Sequence, residues 1–432
     1  MLADKLDTIR HGRSFFVGFL HSSVDQNCTS YIVITTQNQP STIFLNNFYL
    51  NQQQNFNISS HNSTTIAFNH TMENTESGST SKLVYIVSSQ DITVATYQMC
   101  DASGDGMLAL PLQFYDRQYV IATYRVMNTG QFLILSNGIS AVVNISFPYD
   151  FIYNNVTYSR QNLLTVTIQM SKGFYIEAKS DLTGTIITSD QSIAVITGST
   201  CATGSSSHAR QCSNMMEQLL PNSLLGKSYI LSPLSDGRSI DVFRVVAAHN
   251  NTNVQIQYHN TNHTLLQGEF YELEISNHNI THLACDKPCL LVQYTYGRSG
   301  NNSKDQLVMV TPPAIENYDY LNIITIPEKF ANENRLTSNL ISITIPDKQK
   351  NDLNLNGKPL DNVDWKYIKT GNNVTYAVAT INVDPGINVI KHTHYAHYGL
   401  IQHGIGQSGS TYGLSGNVRV PKITQCKYSI LN

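Results

Sequence analysis

The sequence predicts an all-β chain built as four tandem β-sandwich-like modules of about 100 residues each. Three observations predict it. The stretches LPLQFYDRQYVI (110–121), LPNSLLGKSYIL (220–231) and PPAIENYDYLNI (312–323) align, each with a proline (Pro111, Pro221, Pro312) eight residues before a tyrosine (Tyr119, Tyr229, Tyr320) that opens an apolar run. GRSFFV (12–17) aligns with GKSYIL (226–231), which gives a fourth copy and marks one unit recurring at long period. Short runs rich in β-branched and aromatic residues, such as SYIVITT (30–36), DITVATY (91–97) and LLTVTIQM (163–170), are punctuated by Gly, Asn, Asp and Ser.

The boundaries follow from these repeats: module one over 1–108, two over 109–214, three over 215–310, four over 311–417, and a tail or linker over 418–432. The units also close alike, SQDITVATYQMC (89–100) against SDQSIAVITGSTC (189–201), with ACDKPCLLVQY (284–294) repeating the shape. A propeller-like arrangement is the alternative, ranked lower because propeller blades take about 40–50 residues. Residues 46–82, rich in Asn, Gln, Ser and Thr, read as a long insertion in module one. SNMMEQLL (213–220) is the one window that could form a short helix.

Composition narrows function. A chain of 432 residues exceeds one core. A net charge of −3 with 13% charged residues supplies no basic field for nucleic acid or acidic membranes. No apolar run is long enough to span a bilayer, and FFVGFL (15–20) is too short for a signal h-region. No signal segment is visible, so the sequence is expected to start after its signal or to come from a truncated gene, and this weighs less than the asparagines and cysteines.

The asparagines and cysteines stand for secretion. Acceptor sites for N-glycans begin at Asn27, Asn57, Asn62, Asn69, Asn144, Asn155, Asn250, Asn262, Asn279, Asn301 and Asn373, although in a chain this rich in Asn, Ser and Thr chance alone supplies roughly seven. Of seven cysteines, Cys201 and Cys212 bracket the polar loop ATGSSSHARQ, Cys285 and Cys289 flank DKP, and Cys28 and Cys100 fall in module one and could pair. Cys426 is left over in the tail. This reads as a disulfide framework in an oxidising compartment; the rival is free buried thiols in a cytosolic protein.

Chemical motifs are sparse. DASGDG (101–106) puts Asp101, Ser103, Asp105 and Gly106 at calcium-loop positions, but the twelfth position is Leu112, so Asp105 is read as the cap of a turn into module two. HTHYAH (392–397) sets His392 and His394 on one face of an expected strand, with His397 and His403 nearby and no acidic or cysteine partner close in sequence; satisfied or exposed histidines are favoured over a zinc site. GQSGS (406–410) lacks the last glycine of a nucleophile elbow, and no phosphate loop or dinucleotide fingerprint follows a strand. No enzyme, metal or cofactor is expected.

Residues 198–257 carry a cysteine pair, then EQL and proline, then a glycine before an aromatic strand, then an arginine in a strand and NTNV. With GDGMLALP (104–111), LDNVDWKYIKTG (360–371) and STYGLSG (410–416), this resembles the amino-terminal domain of the IgGFc-binding protein family, departing at Leu225, where that family often has tryptophan. The resemblance implies a secreted, β-rich adhesion or mucus-scaffold module. The expected function is therefore non-catalytic and extracellular, with a protein or glycoprotein partner met through Tyr- and Asn-rich faces, since the chain has 24 Tyr and one Trp. The alternative is a lectin-like carbohydrate-binding module, for which Trp365 is the candidate platform unless it serves core packing.

Overall fold

Proline placement explains how the repeating units begin. Pro111 and Pro221 precede single 3-10 turns at Leu112–Phe114 and Asn222–Leu224, and a third turn, Ile315–Asn317, follows Pro312 and Pro313. Proline's fixed φ suits the residue before such a turn. Each turn leads into the strand that the aligned tyrosine predicts: Asp116–Val120, Ser228–Leu231 and Leu321–Ile326.

In the computed structural model, residues 12–23, 28–100, 103–124, 130–202, 213–234, 240–258, 260–276, 279–297, 306–328, 330, 338–405 and 411–419 are described. They are dominated by antiparallel strands. One pairing scheme appears in four successive stretches. In the first, the strand Leu83–Met99 runs through one seven-stranded sheet and changes partners along its length. Its early part pairs with Gly12–Gly18 and Ser41–Asn47, and its late part with Thr29–Thr36 and Gly104–Leu108. Gln52–Ile58 and Ser63–Asn69 form the two ends of that sheet. The second stretch repeats this on Ile186–Ala202, whose early part pairs with Asp116–Val120 and Ala141–Ser146 and late part with Gly130–Ser136 and Ser213–Gln218.

In the third stretch the long strand is broken. Thr281–Cys285 and Cys289–Gly297 are its two halves, each central to its own four-stranded sheet, and the Cys285–Cys289 disulfide spans the break. The fourth breaks at the corresponding place, between Gly386–His392 and Gly399–Ile405. Residues inside each layered pair alternate with outward ones, as the two-residue strand period requires. Ile32, Ile34, Ile43, Leu45, Val84 and Ile86 form the first such core.

The stretches are not beads on a string. Apolar clusters join the first to the second through Phe16, Leu133 and Tyr175, and the second to the third through Tyr124, Val246 and Tyr294. Ile230, Tyr376 and Val378 join the third to the fourth, and Tyr31, Tyr97, Phe330 and Tyr412 return the fourth to the first. The result is a closed ring. Where second meets third, Gly184 and Gly268 touch backbone to backbone with φ of +89 and +81. A Cβ on Gly184 would lie 2.2 Å from the Gly268 carbonyl oxygen, so only glycine fits.

Two expectations about local structure are corrected. Residues 46–82 are not an irregular insertion: they contain Gln52–Ile58, Ser63–Asn69 and Gly78–Thr80, whose polar side chains lie on exposed faces of strands. Ser213–Gln218 is a strand and not a helix, because it completes the sheet built on Ile186–Ala202. The boundary expected between 214 and 215 therefore falls inside a strand, and Val418, assigned to the tail, is buried in the cluster joining first and second stretches.

Candidate binding surface

The last strands of the four stretches, Gly104–Leu108, Ser213–Gln218, Gln306–Val310 and Thr411–Ser415, meet at the centre of the ring. Edge strands carry unpaired N–H groups, and burying them without acceptors is costly. Side-chain oxygens supply the acceptors. Asp105, fully buried, accepts from Met216 N at 3.1 Å, Met309 N at 3.1 Å, Gly413 N at 3.3 Å and its neighbour Gly106 N at 2.8 Å. Along Gln306–Val310, Leu307 N donates to Ser213 Oγ at 2.7 Å, and just beyond it Thr311 N donates to Glu217 Oε2 at 2.9 Å. Alternate N–H groups of one edge thus end on three buried side chains. Burial pushes the Asp105 carboxyl well above its ordinary range, and the four N–H donors pull against that shift. Asp105 is accordingly no turn cap and lies within a strand; Asp101 is outside the described residues, and no group of potential metal ligands occurs among those described.

The second and third stretches are locked by Arg244, which lies within the apolar run VFRVVAA (242–248) and is 2% exposed. Its Nη1 donates to Asp181 Oδ2 at 2.7 Å, Thr183 Oγ1 at 2.6 Å and the Thr123 carbonyl at 2.8 Å, and its Nη2 donates to Glu272 Oε2 at 2.6 Å. The guanidinium also stacks 4.3 Å from the Phe270 ring centroid. Burial acts to raise Asp181, but the Arg244 charge and the Thr183 and Thr123 donors hold it below the usual carboxylate value.

The outer face of the third stretch carries two adjoining clefts of about 420 and 340 Å³, lined mainly by polar residue types, that share Gln255, Ala284 and Cys285. The cause is local. In the register Ser228↔Ala284↔Gln255, the short Ala284 side chain sits between two longer neighbours and leaves a hollow. Asn253 and Asp286 hold one end, the Asn253 N and Nδ2 groups each donating to the Asp286 carboxylate at 2.8 Å, and these bonds lower Asp286 from its usual value. At the other end lie Lys227, Asn260 and, from the fourth stretch, Gly371 and Asn372. Ser228 Oγ lies 2.8 Å from His282 Nε2, and burial lowers the His282 pKa, favouring the neutral imidazole. The hollow offers amides, one hydroxyl, one imidazole, one ammonium and one carboxylate, a set suited to hydrogen-bonded recognition of a polar ligand. The sequence shows these positions only as ordinary polar alternation on a strand face; the signal that could have been read is the small Ala284 in a row of larger residues.

The cysteines fall into the fold as covalent ties. Cys28 is bonded to Cys100 where Thr29–Thr36 and Leu83–Met99 end together, and Cys285 is bonded to Cys289. Cys201 is disulfide-bonded; Cys212 and Cys426 lie outside the described residues. Loop entropy predicts that Cys28→Ser/Cys100→Ser costs about 4 kcal/mol and Cys285→Ser/Cys289→Ser about 2 kcal/mol, a ranking that urea midpoints will check. Of the glycan acceptors, Asn57, Asn62, Asn69, Asn155, Asn250, Asn262 and Asn373 are exposed, Asn144 and Asn279 are half-buried, and Asn27 and Asn301 are outside the described residues.

The histidines do not converge. The strand ends at His392, so His392 and His394 do not share its face. His392 is buried, with Nε2 2.8 Å from the Gln349 carbonyl and Nδ1 accepting from His394 N and Ala396 N, so both ring nitrogens are engaged. His394 projects outward, 3.5 Å from Asp352. His403 lies on the next strand, where burial lowers its pKa to about 4. The unfolded chain takes this proton near pH 6.5, so the His403 contribution is complete above 6.5 and is lost as pH falls towards 4. His403→Gln is expected to remove about 3 kcal/mol of that acid sensitivity, read from urea unfolding at pH 7 and pH 4. Trp365 packs half-buried against the core of the fourth stretch, and Leu225 is buried.

Comparison with known proteins bears on this surface. The family model described as IgGFc binding protein matches residues 105–404. A Homo sapiens protein named IgGFc-binding protein is 26% identical over 168 residues, which is 38% of this chain and 3% of the human protein's length. Among solved structures, the major pilin of Streptococcus pyogenes aligns over 70% of this chain and 98% of its own at 6% identity and a TM-score of 0.15. A bacterial ice-binding adhesin aligns over 71% and 98% at 10% identity and a TM-score of 0.11. No helix among the described residues is long and apolar enough to cross a membrane.

Proposed function

Because the chain belongs to the IgGFc binding protein family, we propose that it is a non-catalytic extracellular recognition module whose partner is a secreted protein or glycoprotein. The carrying observation is the pair of clefts around Ala284, on a sheet that the Cys285–Cys289 disulfide ties to its partner sheet, which Arg244 in turn pairs to the second stretch. Rigid presentation limits the ordering cost of binding. The four stretches serve as modules with boundaries near 108, 220 and 310, and their role is to fix the outer faces relative to one another.

The human relative's name points to the Fc part of IgG, which makes purified Fc the first probe. In surface plasmon resonance the secreted chain is expected to bind Fc, and Ala284→Trp, which fills the hollow, is expected to weaken binding about tenfold or more at unchanged melting temperature. Undiminished binding would move the site elsewhere; no binding by the parent chain would reject Fc as partner. A lectin-like reading is favoured by the amide lining of the same clefts, and a glycan array with the parent and Ala284→Trp separates the two. Mucus or matrix association is tested by co-sedimentation with purified secreted mucin.

A further inference from the structure

Four strands occupy one equivalent outer position in the pairing scheme: Ser63–Asn69, Gly173–Ala178, Phe270–Ser276 and Thr375–Asn382. Two have their outer sides paired. Gly78–Thr80 crosses from the first stretch to pair with Gly173–Ala178, and Lys366–Lys369 pairs with Thr375–Asn382. Among the described residues no strand pairs with the outer side of the other two. Phe270–Ser276 carries Glu272 and Glu274, and charge blunts an edge. Ser63–Asn69, STTIAFN, has no charge and no proline.

This edge is competent to pair. Thr36 N donates to the Asn62 carbonyl, so antiparallel alternation directs the main-chain groups of Thr65, Ala67 and Asn69 to the outer side, where all three residues are exposed. A long, uncharged, exposed edge is a template for a second copy of the same strand. What brackets it is a glycan acceptor at each end. Asn62 and Asn69 are exposed, and each uses its side-chain oxygen locally: Asn62 Oδ1 accepts from Ser63 N at 2.8 Å and Asn69 Oδ1 from Thr71 N at 3.2 Å. Neither Nδ2 atom donates a hydrogen bond among the described residues. Asn279, by contrast, spends its Nδ2 on Tyr258 OH and Ser276 Oγ.

We propose that N-linked glycans on Asn62 and Asn69 cover this edge and keep the chain from pairing with itself. Each Nδ2 loses one proton and forms a bond to the anomeric carbon of an oligosaccharide, whose lipid-pyrophosphate carrier departs as leaving group. Two bulky, hydrated chains at the ends of a seven-residue strand block the approach of an antiparallel copy, whose pairing would bury both ends. The proposal rests on the extracellular reading above, because the modification takes place only in the secretory route.

The test is peptide mass spectrometry of the chain secreted from eukaryotic cells, followed by size-exclusion chromatography with light scattering of Asn62→Gln/Asn69→Gln beside Asn155→Gln/Asn250→Gln. Occupied Asn62 and Asn69 are expected, with an about tenfold larger dimer fraction in the first variant only, reversed by adding Thr65→Lys. If the double variant is not secreted, enzymatic removal of glycans from the folded parent chain gives the same comparison, with a parent already carrying Thr65→Lys as control. Bare Asn62 and Asn69 beside occupied Asn155 and Asn250 would overturn the proposal and leave the extracellular reading intact; bare asparagines throughout would overturn both. A double variant that stays monomeric also ends it.

Discussion

Asp105→Ala is expected to cost on the order of 5 kcal/mol, because it strips the acceptor from four buried N–H groups at once, three of them on strands from the other three stretches. The two oxygens of a carboxylate offer about four lone-pair sites, and all are used. Asp105→Asn is nearly isosteric but replaces one oxygen with an NH₂ that faces N–H donors, so about half the loss is expected to remain. The measurement is urea unfolding by fluorescence, with Asp91→Asn as control. Asp91 is exposed and pairs with the exposed Arg13, and its loss is expected to cost under about 0.5 kcal/mol. An Asp105→Ala midpoint within error of the parent would show that the central strands do not depend on this carboxylate.

Arg244→Ala is expected to cost about 3–5 kcal/mol, because it leaves Asp181 and Glu272 beside an interface from which water is largely excluded. Arg244→Lys keeps the charge but cannot reach both carboxylates and the Thr123 carbonyl with one ammonium, so an intermediate loss of about 1–3 kcal/mol is expected. Arg244→Met/Asp181→Asn/Glu272→Gln removes the charges together and is expected to recover part of the loss, since a buried pair costs desolvation on both sides. If the triple variant is no more stable than Arg244→Ala, the guanidinium is held mainly by its stacking on Phe270 and Tyr294.

How much of this was legible depended on how far apart in sequence the partners lie. The Pro-to-Tyr spacing is local, and the turn and strand it predicts follow from proline's fixed φ and an aromatic run, so both are present. Residues 46–82 were misread because Asn, Gln, Ser and Thr on an exposed strand face give the same composition as an unstructured segment; only the alternating apolar residues, Ile66 and Phe68 among them, distinguish the two. Asp105 between two glycines reads as a turn because its partners are Met216, Met309 and Gly413, up to 308 residues away. Arg244 in the middle of VFRVVAA was the most readable of the missed features. A charge inside a run that must be buried calls for a buried counter-charge, though nothing local names Asp181.

Open arrays of repeats gain and lose units in evolution because each touches only its neighbours. Here the last stretch returns to the first, and one carboxylate in the first holds the main chain of the other three. An added unit would have no place at the centre, and a deleted one would leave a donor or an acceptor stranded. Asp105 thus ties the main chain of its own strand to the central strands of three others.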